Sequence, residues 1–247
     1  MKKALLIRRS SDGTASDKLW KRLNGLHDGL LITVCAAVIL FSGYCLYDNW
    51  YILSYASDAD LLRYKPGSPS YEADTSPLSD GMVGWLTLDG TGIDFPVMQG
   101  ENNLIFLNRD PYGAFSLSGS IFLDSRNAPG FTDPYSLIYG HHMEYGKMFG
   151  ALDAYLDKDY AASHRRGELL IGRDGRKHRT LTVFAVLRVN VLRDSAIFDV
   201  EQPTAAREAI LSHAVFTLGE PDERIVALST CDGENDAMRI IVACNIH

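Results

Sequence analysis

The sequence predicts a mainly β-sheet domain of about eight strands that follows a single membrane-spanning helix. From Met82 onward the chain is a series of short runs rich in β-branched and aromatic residues, broken by Gly, Asp or Pro. This pattern is typical of strands joined by turns. Before it, residues 29–47 (GLLITVCAAVILFSGYCLY) are nineteen residues without a charge. That length is close to the roughly 20 residues that cross about 30 Å of hydrocarbon as a helix.

Composition limits the classes of function. The 247 residues are 46% hydrophobic and 22% charged, which suits one globular domain with extra segments. Residues 1–28 carry seven basic and three acidic side chains, a net +4, so the overall charge of −7 leaves −11 on residues 29–247. Because phosphate binding needs a basic face, this acidic body argues against a nucleic-acid partner.

The flanks of the apolar segment predict its orientation. The preceding tail, residues 1–28, is basic, and aromatic residues (Tyr47, Trp50, Tyr51) follow. The positive-inside rule therefore places the tail in the cytoplasm and the chain from residue 48 onward outside the cell. A cleaved signal peptide is the alternative, but the tail is long for one and no clear A-x-A site follows. Lipoprotein processing at SGYC (42–45) is disfavoured because Tyr44 stands where a small residue is expected.

The remaining organisation follows from periodicity. Residues 50–64 have helical spacing, and the Pro-, Ser- and Asp-rich stretch 65–80 predicts an exposed linker. The domain then runs from 81 to 247, with DGTG (89–92) and GRDGRKH (172–178) as turns and helices at 148–164 and 202–219. The strands are predicted at 82–88, 93–99, 118–124, 135–142, 168–172, 178–192, 224–231 and 239–244.

The spacing of the four cysteines indicates no disulfide framework and includes no C-x-x-C metal-binding pair. Cys35 and Cys45 lie in the membrane segment, which leaves Cys231 and Cys244 for at most one disulfide. By strand alternation Cys244 falls on the face opposite Arg239, so we expect it to be a packed, free thiol.

Cys231 ends one predicted strand, and Arg239 opens the next after the loop DGENDAM. A cysteine nucleophile needs a partner that controls its proton and a donor for the oxyanion. His141 and His142 are the candidate bases, because they follow Gly140 at the end of a strand. Papain-like proteases place cysteine before histidine, and L,D-transpeptidases place arginine two residues after cysteine; neither order occurs here.

These residues resemble the sortases. The sequence ALSTC at 227–231, followed by Arg239 and IIVA, is similar to the sortase pattern TLSTC with a following arginine and VVVA. The segments 83–100, 118–127 and 138–160, with a helix before the cysteine strand, look like class B sortases. The resemblance covers residues 81–244 and implies a closed eight-stranded β-barrel with peripheral helices.

The resemblance also implies the chemistry, with no cofactor and no metal. Sortases are membrane-anchored cysteine transpeptidases of Gram-positive bacteria. Cys231 would be the nucleophile, His141 the general acid and base, and Arg239 the oxyanion donor. The family often has asparagine where this chain has His142, and His141 holds the family's place after glycine. Substrate contacts are expected from Asn103, Leu107, Tyr139 and Ser229.

The expected reaction cleaves a sorting motif of Asn-Pro type in a surface protein and transfers the acyl group to a peptidoglycan precursor or cell-wall amine. A related class B sortase that polymerises pilins would use a pilin lysine as the acceptor instead. The third hypothesis is a non-enzymatic β-domain, tethered to the membrane, in which Cys231 is a buried thiol.

Overall fold

The computed structural model describes residues 15–55, 59–69, 71–73, 75–232 and 235–247. The chain divides into two units, one ending at Trp50 and one running from Tyr51 to His247.

The described part of the first unit lies in the helix α1 (Ala15–Tyr55), whose last five residues belong to the second unit. Its most apolar 18-residue window has a mean hydropathy of 2.2, and none of that window is buried against other residues. Among the described residues this is the one helix long and apolar enough to cross a bilayer. It contains the segment 29–47 that the sequence predicts to span the membrane, so the N-terminal apolar helix is confirmed.

The second unit is mostly strands, with short helices at its periphery. The helices are α2 (Lys158–Ser163), α3 (Pro203–His213) and the 3-10 helices Ala59–Tyr64, Glu144–Gly146, Phe149–Leu156 and Ser195–Phe198. The strands are β1 (Met82–Leu88), β2 (Asp94–Met98), β3 (Ile121–Leu123), β4 (Tyr135–Gly140), β5 (His142–Met143), β6 (Lys147–Met148), β7 (Arg166–Ile171), β8 (Lys177–Asn190), β9 (Ala214–Thr217), β10 (Ile225–Asp232) and β11 (Asn235–Ile246).

Eight strands close into a barrel, as predicted. Their order is β11, β10, β4, β3, β2, β1, β7, β8, and β8 pairs back onto β11 to complete the ring. The pairs β2–β3 and β4–β10 are parallel, and the other neighbours are antiparallel. Strand β9 pairs with β8 outside the ring, and β5 and β6 form a separate two-stranded hairpin.

Burial on both faces explains why the central strands read as nearly continuous apolar runs. On β10, Val226 and Leu228 belong to one buried cluster, whereas Ile225 and Ala227 belong to another. The second cluster also contains Ala206 and Ile210 of α3. Helix α3 packs on β8 and β4, and its apolar residues share one buried cluster with a face of β10.

Three helix predictions need correction at their ends. The helix predicted at 202–219 ends at His213, and the chain continues as β9. Here Val215 and Phe216 alternate between exposed and partly buried positions, which is the period of a strand. The helix predicted at 148–164 is a 3-10 helix followed by α2. The helix predicted at 50–64 divides into the end of α1 and the 3-10 helix Ala59–Tyr64, and residues 56–58 lie outside the described part.

The stretch 65–80, predicted to be an exposed linker, is anchored to the barrel. Lys65 Nζ lies 2.7 Å from Asp94 Oδ1, and Leu78 is only 3% exposed. The guanidinium of Arg173 donates to four main-chain carbonyls of this stretch, those of Ala73, Ser76, Leu78 and Ser79. The prediction was wrong because the carbonyls of this polar stretch receive their hydrogen bonds from one side chain that is distant in sequence.

Candidate active site

The strand register places His141, Cys231 and Arg239 at neighbouring backbone positions. In the parallel pair β4–β10, Gly140 is the last residue of β4 and lies opposite Thr230, so His141 follows β4 beside Cys231 of β10. In the antiparallel pair β10–β11, Cys231 lies opposite Arg239. Adjacent strands are about 4.8 Å apart. His141, which is 90 residues before Cys231 in the sequence, therefore meets Cys231 and Arg239 at one end of three neighbouring strands.

A hydrogen bond to the β2–β3 loop orients the imidazole of His141. Its Nε2 lies 2.8 Å from the carbonyl oxygen of Leu107. A carbonyl can only accept, so Nε2 carries a proton and donates it. Gly119 packs directly behind this contact with a φ of +58°, and a Cβ there would lie 2.4 Å from the Leu107 oxygen. Only glycine fits both the backbone conformation and the space.

A cavity of about 260 Å³ opens beside these residues. Among the predicted site residues, His141, Arg239, Leu107, Tyr139 and Ser229 line it. The remaining lining residues are Phe122, Gly140, Val191, Phe198 and Thr230. The walls are mainly apolar with a few polar groups, which is typical of a site for a small ligand or peptide side chain.

One of the predicted residues uses its side chain within the protein. Asn103 is not among the residues that line this cavity; its side chain donates to Asp124 Oδ2 at 3.0 Å and accepts from the Ser125 N–H at 2.7 Å. The structure describes the backbone of Cys231, which lies near the end of β10 and opposite Arg239.

Arg239 provides the positive charge of the cavity. Its side chain is partly buried, and its Nη1 donates to the carbonyl of Met238 at 2.8 Å. The guanidinium stays protonated at any working pH and offers five N–H donors. It can therefore hold a carbonyl oxygen or a developing oxyanion without a change in its own protonation.

Sequence reasoning gave no role to Thr230, Val191 and Phe198. Thr230 lies next to Cys231, and its hydroxyl and that of Ser229 are buried with no hydrogen-bond partner among the described residues. An unpaired buried hydroxyl is costly, and both residues line the cavity, where a polar ligand group can pair with them. The hydroxyls within the apolar run ALSTC were the available signal. Val191 and Phe198 come from the segment after β8, and no local pattern marks them.

The other histidine and cysteine candidates lie in different surroundings. His142 Nε2 lies 2.7 Å from Asp153 Oδ2, and His142 is not among the cavity residues. Cys244 is fully buried and free, as predicted, and burial raises the pKa of its thiol to about 12. A thiol with so high a pKa is a poor nucleophile at neutral pH.

Comparison with known proteins decides the family. The sortase domain model matches residues 86–247. The chain is 31% identical over 226 residues to sortase B of Listeria monocytogenes, which covers 83% of this chain and 90% of that protein. The chain belongs to class B of the sortase family. It is also 28% identical over 190 residues to sortase B of Staphylococcus aureus, covering 72% of this chain and 75% of the relative.

Solved sortase structures have the same barrel. A Streptococcus pyogenes class B sortase involved in pilus biogenesis is 34% identical, with a TM-score of 0.63 over 69% of this chain and 94% of its own. Clostridium perfringens sortase B is 27% identical, with a TM-score of 0.61 over 68% of this chain and 94% of its own. Sortases are cysteine transpeptidases that act on sorting signals of surface proteins and on cell-wall amines. This family membership gives the chain its enzyme class.

Proposed function

We propose that this sortase is anchored in the membrane, cleaves a sorting motif of Asn-Pro type through a Cys231 thioester, and transfers the acyl group to a peptidoglycan amine. The observation that supports the proposal is the register of β4, β10 and β11, in which the backbone of Cys231 lies opposite Arg239 and one residue beyond the Thr230–Gly140 pair, next to the cavity that His141 and Arg239 line.

In the proposed reaction the Cys231 thiolate attacks the carbonyl carbon of the scissile peptide bond. Negative charge moves to the carbonyl oxygen, where Arg239 donates to it. The C–N bond then breaks, His141 protonates the leaving amine, and a thioester remains on Cys231. The incoming amine attacks the thioester and gives a proton to His141, and Cys231 leaves as a thiolate. Because Nε2 of His141 donates to the Leu107 carbonyl, Nδ1 is the atom that exchanges this proton.

The four predicted substrate-binding residues would not all contact the peptide. Leu107, Tyr139 and Ser229 line the cavity and would touch the peptide directly. The side-chain amide of Asn103 is hydrogen-bonded to Asp124 and Ser125. Asn103 would therefore affect peptide binding indirectly, by fixing the conformation of its loop.

The test uses the full chain in detergent micelles with an Asn-Pro peptide, a Leu-Pro peptide and a small amine acceptor. We expect transfer product from the Asn-Pro peptide with the wild type and none with Cys231→Ala. Product from the Leu-Pro peptide alone would refute the motif. No product from either, together with a Cys231 thiol that resists a small alkylating reagent, would favour the non-enzymatic β-domain.

A second acceptor is favoured by one comparison. The Streptococcus pyogenes relative with a TM-score of 0.63 is involved in pilus biogenesis. If this chain polymerises pilins, the acceptor is a lysine ε-amine on a protein. Supplying a peptidoglycan-type amine and a lysine-containing pilin fragment together distinguishes the two, because the preferred acceptor dominates the products.

The membrane orientation is part of the proposal. Residues 1–28 would lie in the cytoplasm, 29–47 would span the bilayer, and the segment 48–80 and the catalytic domain 81–247 would lie outside. The net charge of +4 on residues 1–28 supports this orientation. Protease treatment of intact cells should remove a C-terminal epitope tag and spare an N-terminal tag, and the reverse pattern would refute it.

A further inference from the structure

A buried carboxylate accepts a hydrogen bond from Tyr139, one of the residues that line the cavity. Asp124 follows β3 and is 0% exposed. Its Oδ1 accepts from the backbone N–H and Nε of Arg126 at 3.0 and 2.9 Å, and its Oδ2 accepts from Arg126 Nη2 at 2.9 Å. Oδ2 also accepts from Asn103 Nδ2 at 3.0 Å and from the Tyr139 hydroxyl at 3.1 Å. The carboxylate therefore holds two groups from other segments in addition to its arginine.

Arg126 extends this network to another wall of the cavity. Its Nη2 donates to the carbonyl of Phe198 at 2.9 Å, and its Nη1 lies 3.7 Å from Asp199 Oδ1. Phe198 lines the cavity and ends the 3-10 helix Ser195–Phe198 that follows β8. A planar guanidinium can bind a carboxylate with one edge and still donate to a carbonyl. The ammonium of a lysine lacks this planar arrangement of donors.

Asp124 and Arg126 form a hydrogen-bonded ion pair. Burial would raise the pKa of Asp124, but hydrogen bonds from Arg126 and Asn103 outweigh it and hold the pKa below its ordinary value. A buried charge is tolerated only when it is paired and hydrogen-bonded, and removing one partner leaves the other uncompensated.

Asp124 and Arg126 contact three segments that each contribute a residue to the cavity. Asn103 lies on the loop whose Leu107 carbonyl holds His141, Tyr139 lies on β4 two residues before His141, and Phe198 lies on the opposite segment after β8. The Tyr139 ring also packs on Phe122, another cavity residue, at 5.3 Å between centroids.

We propose that Asp124 and Arg126 are positioning residues that hold these three walls in register and thereby set the affinity of the cavity for the sorting peptide. This inference rests on the proposed function. A loss of the pair would let the walls separate before the peptide binds, so part of the binding energy would be spent on ordering them. Neither residue touches the reacting atoms, and the bound peptide orders the walls again, so the chemical step after binding should be nearly unchanged.

The chain offers a matched control. Arg173 is also partly buried and also donates to main-chain carbonyls, but its partners belong to the stretch 65–80 and it lines no part of the cavity. Replacing Arg173 or Arg126 by glutamine should lower the melting temperature in both cases. Only the Arg126 variant should change substrate affinity.

The experiment measures KM and kcat of the full chain in micelles for the wild type, Arg126→Gln, Arg126→Lys and Arg173→Gln. We expect Arg126→Gln to raise KM about tenfold or more with kcat within about threefold, the pattern of lost binding. Arg126→Lys keeps the charge and should recover part of the affinity. In a Tyr139→Phe background, Arg126→Gln should raise KM by a smaller factor, because the two residues act through one carboxylate.

The outcomes separate the two proposals. If the wild type turns over peptide but Arg126→Gln changes only the melting temperature, as Arg173→Gln does, the positioning role is refuted and the proposed function stands. A fall in kcat with unchanged KM also refutes it. A wild type that forms no Cys231 thioester refutes the proposed function, and the positioning role with it.

Discussion

Gly119 provides a direct test of how the β2–β3 loop holds His141. In Gly119→Ala the new Cβ would lie 2.4 Å from the Leu107 oxygen and 3.0 Å from Cδ2 of His141. Reaching even 3.0 Å requires the oxygen to move by at least 0.6 Å. A shift of this size along the bond would lengthen the contact from His141 Nε2 to the Leu107 oxygen from 2.8 to about 3.4 Å, beyond ordinary hydrogen-bond length.

Two costs follow from this substitution. Alanine at a φ of +58° costs about 1–2 kcal/mol, and the overlap costs about 1–3 kcal/mol more. We therefore expect the free energy of unfolding to fall by about 2–5 kcal/mol. Displacement of a catalytic group by about 1 Å can cost about 100-fold in rate, so kcat/KM should fall by about 10- to 100-fold.

Gly113→Ala on the same loop is the control. Its φ is +90°, but the nearest atom to a new Cβ is Ser79 Cβ at 3.8 Å. It should lose about 1–2 kcal/mol of stability from the backbone and keep its activity. Both variants are assayed by peptide turnover and by denaturant unfolding of the full chain. Equal stability losses and full activity in both would refute the account of the His141 contact.

Three further predictions concern other groups. His141→Asn should abolish thioester formation, whereas His142→Asn should keep it, since only His141 lines the cavity; intact-mass spectra distinguish them. Arg239→Lys should lower kcat by about 100- to 1,000-fold in peptide cleavage, because an ammonium cannot reproduce the guanidinium donors. The pKa of Asp124 is lowered in the folded state, so its ion pair stabilises the protein above an unfolded value near 3.8 and loses this effect as pH falls. Asp124→Asn should therefore lower the melting temperature at pH 7 and flatten its fall below about pH 4, as thermal unfolding across pH will report.

The barrel was predictable because each central strand is apolar on both faces and bounded by turn residues. The run 82–88 was predicted at the limits that β1 has. Two-residue strands are too short to have a period, so the β5–β6 hairpin was missed and His142 was assigned to the run of β4. Strand β9 was missed because only four residues follow the end of α3 before the next turn.

The site was predictable to the extent that motifs mark it. The order of His141, Cys231 and Arg239 along the chain was enough to indicate the three neighbouring strand ends. The segment 118–127 supported the family resemblance, yet nothing in it assigned a role to Asp124 or Arg126. Their contacts reach 15 residues along the chain to Tyr139 and 72 residues to Phe198, and such pairings depend on how the barrel closes.

The Cys231 thioester is tested most directly by the intact mass of the full chain after incubation with an Asn-Pro sorting peptide and no amine acceptor. We expect a mass increase equal to the acyl fragment, on the wild type and not on Cys231→Ala, that disappears when an amine is added. An adduct that persists in Cys231→Ala, or a folded wild type that gains no mass with any sorting peptide, would contradict this expectation.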